Sequence, residues 1–391
     1  MSPVYAPVVG GSVRCGSLRA GPHVLPITSM TQDPTEQATT AGVGSGAPRA
    51  DVETSGRRGE LVRWIRGLPK AEVHLHLEGC LAPELVDAAA RRAGIDPASG
   101  PRLPVADLPG LLNHLDWACG LIAEADDLVE IAYATMQRAA RSGTRHVDVI
   151  ANPTHWPAWR GRLEAFVDAL DAGFAAAAAD GLGTAGLCLS IKRTQSAGEA
   201  QDLVEWILRS GRARVVGLSI DGDEREGASS HTERFRPAFQ RAAAAGLRRC
   251  AHAGESSGAH GVRDAIDGLG AERIDHGIRC LEDRVLTAEI AARRVPLDIC
   301  PMSNVLLGVA PSLAAHPVEP LRQVGVRFSL NTDDPMVYGI DLAGEYVRCA
   351  EQFGWGRHVL VDVARTSIES SFADEDRRQD LLAALGRFVA G

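Results

Sequence analysis

The stretch KAEVHLHLEG, residues 70–79, decides how the sequence is interpreted, because it places two histidines inside the pattern of a buried strand. Aliphatic residues alternate with His74 and His76. Successive side chains of a strand point to opposite faces, so both imidazoles are predicted on one face and the aliphatic side chains on the other. Two imidazoles on one strand face can bind a metal ion, since histidine is the commonest metal ligand. The alternative is a pair of polar residues on a solvated strand face.

From about residue 60 onward, short β-rich runs alternate with longer helical patterns. The predicted strands are 71–77, 145–151, 184–191, 215–221, 247–253, 272–276, 296–300 and 326–331. The helical patterns between them include 126–141, 163–180, 199–210 and 233–245. Strands separated by helices predict parallel βα units. A count of eight favours an α/β fold of the (β/α)8 TIM-barrel class over the alternative, a doubly wound open sheet.

The remaining segments set the domain organisation. Residues 82–144 are longer than one crossover helix and predict two or three extra helices over the C-terminal mouth of the barrel, and residues 341–389 predict further helices on its outside. Residues 1–57 are rich in Gly, Pro, Ser, Thr and Ala and lack periodicity, so we expect a disordered N-terminal tail, with Met30 as an alternative start. Residues 58–391 are predicted to form a single barrel domain.

The composition is that of an ordinary globular protein, with 45% hydrophobic and 23% charged residues among 391. A net charge of −9 without a basic block argues against nucleic-acid binding. No apolar run is long enough to cross a bilayer, and no secretory signal is evident. Eight cysteines without a C-x-x-C pair are typical of a reduced, cytoplasmic protein whose metal, if any, is not held by thiolates.

Polar residues that are unusual for buried strands occur at the ends of four predicted strands. They are His74 and His76 in the first, His252-Ala-Gly-Glu255 after the fifth, His276 in the sixth, and Asp333-Asp334 after the eighth. In a barrel of this class the active site lies at the C-terminal ends of the strands. Their joint placement therefore predicts one metal site rather than four unrelated polar groups.

Three neutral imidazoles and one carboxylate form a suitable ligand set for Zn²⁺. The imidazoles would be those of His74, His76 and His252, and the carboxylate would come from one of the paired aspartates. Zinc with one open position lowers the pKa of water from about 16 toward about 7, which makes hydroxide available at neutral pH. The sequence thus predicts a hydrolytic zinc centre.

Two further residues are candidates for handling protons and charge. Glu255 lies three residues after His252, just past the strand end, where it can shuttle a proton without being a ligand. His276 can orient the hydroxide or stabilise charge on it. The aspartate that does not bind the metal is free to hold the substrate.

Five segments in a fixed order then identify a family. LPKAEVHLHLEG, HAGE, RIDHG, CPMSN and SLNTDDP, between about residues 65 and 340, resemble the adenosine deaminase family of the amidohydrolase superfamily. The resemblance implies a (β/α)8 barrel with one zinc ion per chain, bound by His74, His76, His252 and Asp333. The other zinc deaminase design, H-x-E with P-C-x-x-C, is absent from the sequence.

The resemblance also implies roles for the remaining candidates. Glu255 would protonate N1 of a purine, which makes C6 electrophilic, and His276 would position the attacking hydroxide. Asp334 would hydrogen-bond N7, and the backbone at Gly222 would contact N3. Hydroxide would then add to C6, and the tetrahedral intermediate would expel ammonia.

The sequence departs from the family's nucleoside deaminases at three places. Glu78, an expected substrate contact, stands where many of them have an aspartate that holds the ribose 5′-hydroxyl, and glutamate is more like the adenine deaminases. Ser219 stands where they usually have an aspartate that supports a metal-binding histidine. In IANPTHWPAWRG, His155, Trp156 and Trp159 imply a reshaped pocket mouth. Alternatively, the two tryptophans only pack the lid.

The leading hypothesis is a zinc-dependent aminohydrolase that deaminates a 6-aminopurine, adenosine or a related nucleoside. The Gly222 segment is more like that of the nucleoside enzymes. The alternative substrates are adenine and aminodeoxyfutalosine. A second hypothesis keeps the metal but assigns a non-purine substrate, and a third is a non-enzymatic barrel that binds a ligand. The expected partner is a small purine, and neither nucleic acid nor a membrane is expected as a partner. The sequence does not determine the oligomeric state.

Overall fold

The core of the fold is a parallel sheet of eight strands whose order follows the chain, seen in a computed structural model that describes residues 49–101, 103–105, 107–225 and 231–391. The strands are β1 Lys70–His76, β2 Thr144–Ala151, β3 Thr184–Lys192, β4 Val215–Asp221, β5 Arg248–Ala253, β6 Arg273–His276, β7 Leu297–Ile299 and β8 Phe328–Leu330. A β-bridge between Leu75 and Asp333 joins the segment after β8 to β1, so the sheet curls into a nearly closed barrel. The predicted (β/α)8 TIM-barrel class is confirmed.

A bulge in β1 shapes the seam of the barrel. Between the pairs Glu72–Val147 and Leu75–Val149, β1 has one residue more than β2. A bulge leaves backbone groups without ladder partners. Here the side-chain oxygen of Asn331 accepts hydrogen bonds from two successive amides within the bulge, at 2.8 and 3.1 Å. The chain after β8 is thereby fixed to β1 directly beside the histidine motif.

The helices surround this sheet. They are α1 Arg49–Gly67, α2 Pro83–Arg92, α3 Leu108–Gly120, α4 Ala125–Arg141, α5 Leu163–Ala179, α6 Ala197–Ser210, α7 His231–Ala244, α8 Ala259–Arg263, α9 Arg284–Arg293, α10 Pro301–Leu306, α11 Val318–Gln323, α12 Pro335–Tyr338, α13 Leu342–Phe353, α14 Arg357–Ser370 and α15 Glu375–Ala390. The predicted helical patterns correspond to α4, α5, α6 and α7. None of the described helices combines the length and apolar character needed to cross a membrane.

The extra helices differ in part from the prediction. Of the segment 82–144, α3 lies over the barrel mouth, where its leucines line a cavity. Helix α4 packs against α5 and β2 and is therefore a crossover helix, because its apolar face covers the barrel wall. At the C-terminus, α14 packs against β1 and β8.

The first described helix changes the predicted start of the domain. Helix α1 begins at Arg49, so residues 49–57, predicted to belong to the disordered tail, are helical. The C-terminal part of α1 is packed in the core through residues such as the buried Ile65, and this packing nucleates the helix. Adding further residues at the N-terminal end then costs little free energy. Residues 1–48, and Met30 with them, lie outside the described residues.

A buried charge network crosses the barrel interior. Nη1 of Arg273 lies 2.6 Å from Oδ2 of Asp148, and Nε lies 2.9 Å from Oδ2 of Asp298. The guanidinium also donates to the carbonyl of Val73 at 2.9 Å and lies 3.7 Å from the ring centre of Phe372. The four strands β1, β2, β6 and β7 are thus joined through one cation.

Candidate active site and metal centre

Four ligand atoms converge at the C-terminal ends of the strands. Nε2 of His252 lies 3.1 Å from Nε2 of His74 and 3.0 Å from Nε2 of His76. Oδ1 of Asp333 lies 3.2 Å from the Nε2 of His74 and 3.3 Å from that of His76. The structure therefore brings the predicted ligand set together. Of the paired aspartates it is Asp333, and not Asp334, that faces the imidazoles.

This donor set fits a zinc ion. Zinc forms bonds of about 2.0–2.2 Å to imidazole nitrogen and carboxylate oxygen, so tetrahedral ligand atoms lie about 3.3–3.5 Å apart. The observed separations of 3.0 to 3.3 Å are close to that spacing. A single hydrogen on Nε2 of His252 cannot point at both neighbouring rings, whereas one cation between the atoms satisfies all of them.

Groups at the far side of two rings orient them toward this point. Nδ1 of His74 lies 3.1 Å from the carbonyl oxygen of Asp298. Nδ1 of His252 lies 3.2 Å from Oδ2 of Asp275. A proton held on Nδ1 leaves the lone pair on Nε2 free for a metal. Ser303 donates to the second carboxylate oxygen of Asp333 at 2.6 Å and fixes that ligand in the same way.

Ser219 does not supply the support that the sequence comparison places there. Its hydroxyl is buried and makes no hydrogen bond within the described residues. Asp275 on β6, paired in register with His252 on β5, is the carboxylate that faces a metal-binding ring. With serine at position 219, the carboxylate that faces Nδ1 of His252 comes from the neighbouring strand.

Glu255 and His276 lie side by side next to the ligand cluster. Nε2 of His276 lies 3.4 Å from Oε1 of Glu255, and Nδ1 of His276 lies 3.2 Å from the amide nitrogen of Asn304. Burial raises the pKa of Glu255 well above its ordinary value, and the negative charges of Asp333 and Glu224 raise it further. Burial lowers the pKa of His276. Both shifts favour the uncharged forms of these two side chains.

The second aspartate of the pair is also buried. A side chain at Gly79 would place its Cβ 2.1 Å from Oδ1 of Asp334, so only glycine leaves room for this carboxyl group. Oδ1 of Asp334 has no hydrogen-bond partner within the described residues. Burial raises the pKa of Asp334 well above its ordinary value, and the adjacent Asp333 adds to the effect. Asp334 is therefore available to a ligand.

Glu78 is held by one oxygen and free at the other. Its Oε1 accepts a hydrogen bond from the amide of Asn152 at 2.8 Å and from the indole of Trp156 at 2.7 Å. Its Oε2 is buried without a partner in the described part of the chain. Burial raises the pKa of Glu78 to about 7, against the opposing influence of His155 and the indole hydrogen bond.

A pocket opens above the ligand cluster, with an empty volume of about 470 Å³ that includes the space at its open mouth. One side is apolar and the other is polar. The apolar lining residues are Leu108, Leu111, Leu112, Leu115 and Leu307. The polar lining residues are His76, Glu78, His155, Asp221, Gly222, His252, Glu255, His276, Asp333 and Asp334. The cavity suits a flat, mostly apolar molecule with several polar edges.

The tryptophans of the second loop lie behind the cavity wall. Trp156 is fully buried, donates to Glu78 and packs against Phe166, and Trp159 donates to the carbonyl of Ile122. Neither lines the cavity. They pack the structure beneath the mouth, as in the alternative interpretation, and His155 is the residue of this segment that reaches the cavity.

Several functional residues were not predicted from the sequence. They are Asp275, Ser303, Asn304, Asp221 and Asn152, together with the leucines of α3. Three of them lie inside the RIDHG and CPMSN segments, so a signal was present for Asp275, Ser303 and Asn304. Asp221, at the end of β4, accepts a hydrogen bond from the side chain of Asn152, just after β2, at 2.5 Å. Local sequence patterns do not indicate a contact between these two distant strands.

Comparisons with known proteins agree with this geometry. A family model described as adenosine deaminase matches residues 69–387. An adenine deaminase from Sinorhizobium fredii is 34% identical over 322 residues, which cover 81% of this chain and 98% of that protein. The crystal structure of adenine deaminase from Arthrobacter aurescens has 32% sequence identity and a TM-score of 0.75, with 83% of this chain and 100% of that chain covered.

A further solved structure bears on the metal. An amidohydrolase from Burkhoderia ambifaria with bound Zn has 28% sequence identity and a TM-score of 0.76. The match covers 84% of this chain and 93% of that chain.

Proposed function

Because the chain belongs to the adenosine deaminase family, whose members hydrolyse carbon–nitrogen bonds in cyclic amidines, we propose that it is a zinc-dependent aminohydrolase of 6-aminopurines. The enzyme replaces the 6-amino group with oxygen and releases ammonia. Its substrate is the free base adenine, and it holds one zinc ion per chain.

One observation carries the proposal. Three imidazole nitrogens and one carboxylate oxygen face a common point, and the buried Glu255 lies beside them without belonging to the set. A metal-binding group and an independent proton donor on one cavity wall are the two requirements of a hydrolytic deamination. A binding protein has no need of this combination.

His74, His76, His252 and Asp333 would hold the metal. When bound, zinc supplies a hydroxide nucleophile near neutral pH, since it lowers the pKa of water to about 7. Glu255 protonates N1 of the purine, and the added positive charge on the ring makes C6 electrophilic. The raised pKa of Glu255 suits this role, because the donor must hold its proton at the working pH.

The other residues orient the two reactants. His276, held by Asn304 at 3.2 Å, points its Nε2 toward the cavity side of Glu255 and orients the attacking oxygen at C6. Asp334 hydrogen-bonds N7, and the backbone amide at Gly222 meets N3. Contacts to three edges of the ring fix C6 over the reactive centre, and such positioning contributes a large part of the rate enhancement of enzymes.

The choice of adenine rests on Glu78. In the family's nucleoside enzymes the residue at this position holds the ribose, so position 9 of the purine faces it. Glutamate is one methylene longer than aspartate, and its Oε2 is buried without a partner within the described residues. This oxygen can accept the N9–H of adenine, a hydrogen that every nucleoside lacks. The adenine deaminases among the relatives are consistent with this choice.

A substrate comparison tests the proposal. Zinc-loaded protein is assayed for ammonia release from adenine, adenosine, deoxyadenosine and aminodeoxyfutalosine, with chelator-stripped protein as the control. We expect adenine to exceed adenosine in kcat/KM by about 100-fold or more, because a nucleoside has no N9–H to donate to the Glu78 oxygen. A preference for adenosine would refute adenine as the substrate but would leave the proposed deamination unaffected. No ammonia from any of the four compounds would refute the reaction itself.

A further inference from the structure

We propose that Glu224, which lies outside the ligand cluster, is the residue that positions Glu255 for proton transfer. Its carboxylate holds the turn after β5, residues 254–257, by accepting hydrogen bonds from four successive backbone amides. The inference rests on the proposed function of Glu255. Glu224 itself touches neither the substrate cavity nor the ligand cluster.

The geometry divides the amides between the two carboxylate oxygens. Oε1 accepts from the amides of Glu255 and Ser256 at 2.9 Å each and from that of Ser257 at 3.3 Å. Oε2 accepts from the amide of Gly254 at 2.8 Å and from the hydroxyl of Ser257. One side chain therefore satisfies a whole run of backbone donors that no strand or helix satisfies.

The carboxylate acts in its charged form. Burial alone would raise the pKa of Glu224, but the buried guanidinium of Arg193 and the hydrogen bonds from the turn outweigh burial and hold the pKa below its ordinary value. Nη2 of Arg193 donates to the carbonyl of His252 at 2.5 Å. The cation thus fixes the end of β5 at a metal-binding residue, and the anion fixes the turn that follows.

The turn needs such a restraint because its backbone is intrinsically free. Gly254 has φ +71°, and a Cβ at this position would lie 2.4 Å from the side chain of Val262. Only glycine fits, and glycine permits many other conformations as well. Without the Glu224 contacts the turn is free to move, and Glu255 moves with it. A displacement of about 1 Å at a catalytic group costs on the order of 100-fold in rate.

Glu224→Gln is compared with wild type, and Asp223→Asn is the matched control. Asp223 is the adjacent buried carboxylate, but it contacts Arg225 and the hydroxyl of Ser256 and none of the amides 254–257. For Glu224→Gln we expect kcat to fall about 10- to 100-fold, KM to stay within about threefold, and zinc to stay at one per chain. Hydrogen exchange of the amides 254–257 accelerates in the same variant. Asp223→Asn changes neither measurement by more than about twofold.

Three results would overturn the inference. The first is a kcat of Glu224→Gln within about twofold of the wild-type value. The second is loss of zinc together with activity, which would assign Glu224 to the metal site instead. The third is hydrogen exchange of the amides 254–257 at the wild-type rate. If Glu224→Gln does not fold, Glu224→Asp is used in its place. Absence of turnover in the wild-type protein refutes the proposed function, while the exchange measurement still decides whether Glu224 holds the turn.

Discussion

Two residues of the candidate site have backbones that side-chain-bearing residues rarely adopt. His276 has φ 66° and Asp333 has φ 64°, both in the left-handed region. Such a conformation costs about 1–3 kcal/mol and persists only where the surroundings enforce it. At Asp333 the enforcing contacts are visible, because its amide donates to the carbonyl of His74 at 3.2 Å and its carbonyl accepts from the amide of His76 at 2.9 Å. The closure of the barrel therefore sets the position of this side chain before any ligand binds.

Glu255→Gln tests the proton donor at the residue scale. Glutamine has the same shape but cannot protonate N1, so we expect kcat to fall by about 10²- to 10⁴-fold, the usual contribution of a general acid. Zinc stoichiometry is measured in the same samples and should be unchanged, because Glu255 is not a ligand. Glu289→Gln, at a glutamate that pairs with Arg263 on the surface, serves as the control. Equal activity of Glu255→Gln and wild type would remove Glu255 from the mechanism.

Glu78→Asp tests the choice of the free base. The shorter side chain withdraws the oxygen that accepts N9–H and makes room at position 9. We expect kcat/KM for adenine to fall about 10- to 100-fold, the value of a hydrogen bond to a charged group, while that for adenosine holds or rises. Glu84→Asp, on the exposed start of α2, is the control. An equal loss for both substrates would show that Glu78 does not distinguish them.

At the scale of elements, the helix α3 is joined to the rest of the site partly through the side chain of Asp116. Its leucines cover the cavity, and Asp116 on α3 lies 2.5 Å from Nδ1 of His155 and 3.7 Å from Nζ of Lys192 on β3. The hydrogen bond from His155 lowers the pKa of Asp116. Burial tends to lower the pKa of His155, but Asp116 and Glu78 raise it above the ordinary value.

Asp116→Asn tests this attachment. We expect KM for the substrate to rise about two- to fivefold, the value of a partly exposed ion pair, with kcat nearly unchanged. Asp87→Asn, in an exposed pair with Arg91 on α2, is the control. A KM equal to that of wild type would show that the pair does not hold α3 in place.

The same pair predicts a pH dependence of stability. Because folding raises the pKa of His155, this residue contributes stability to the folded protein. That contribution is fully present below pH 6.5, the ordinary pKa of histidine, and is lost as the pH rises through the raised pKa. The lowered pKa of Asp116 gives a second contribution to stability, which is present above pH 3.8, the ordinary pKa of aspartate, and is lost as the pH falls below it. The difference in Tm between wild type and Asp116→Asn, measured with zinc present, should therefore be largest between about pH 5 and 6.5 and shrink toward pH 9. A difference that grows with pH would contradict the assignment.

The sequence allowed the elements to be predicted better than the contacts between them. Strand ends and the polar groups on them follow local patterns, so His74, His76, His252 and Asp333 were identified from alternation, position and family resemblance. The role of Asp275 depends on its register with His252 across two strands, which are about twenty residues apart in sequence. Local patterns carry no information about that register. The length of the segment 82–144 did indicate extra helices over the mouth, but not which of their side chains line the pocket.

At the scale of the whole molecule, Arg273 joins four strands of the barrel. Burial favours the neutral form of Asp148, but Arg273 and His146 reverse this and lower the pKa of Asp148 to about 2. The carboxylate therefore contributes stability above the ordinary value of 3.8, and the contribution is lost as the pH falls toward 2. Arg273 begins β6 and Asp148 lies in the middle of β2, about 125 residues away in the sequence, so local patterns could not predict that the two side chains meet.

Arg273→Leu tests the network. Removal of the guanidinium leaves the buried Asp148 with only His146 and the amide of Phe372 as partners. We therefore expect the free energy of unfolding to fall by about 3–5 kcal/mol, measured by urea titration of zinc-loaded protein. The double variant Arg273→Leu/Asp148→Asn should recover part of this loss, because it also removes the uncompensated charge. Additive losses in the double variant would show that the two residues do not interact.

The central claim is that distant segments of the chain build one zinc site. Its most direct test is an anomalous difference map at the zinc edge from crystals of the zinc-loaded protein. The account predicts one strong peak per chain, within about 2.2 Å of Nε2 of His74, His76 and His252 and of a carboxylate oxygen of Asp333. No peak among these four atoms, or a peak bound by other residues, would contradict it.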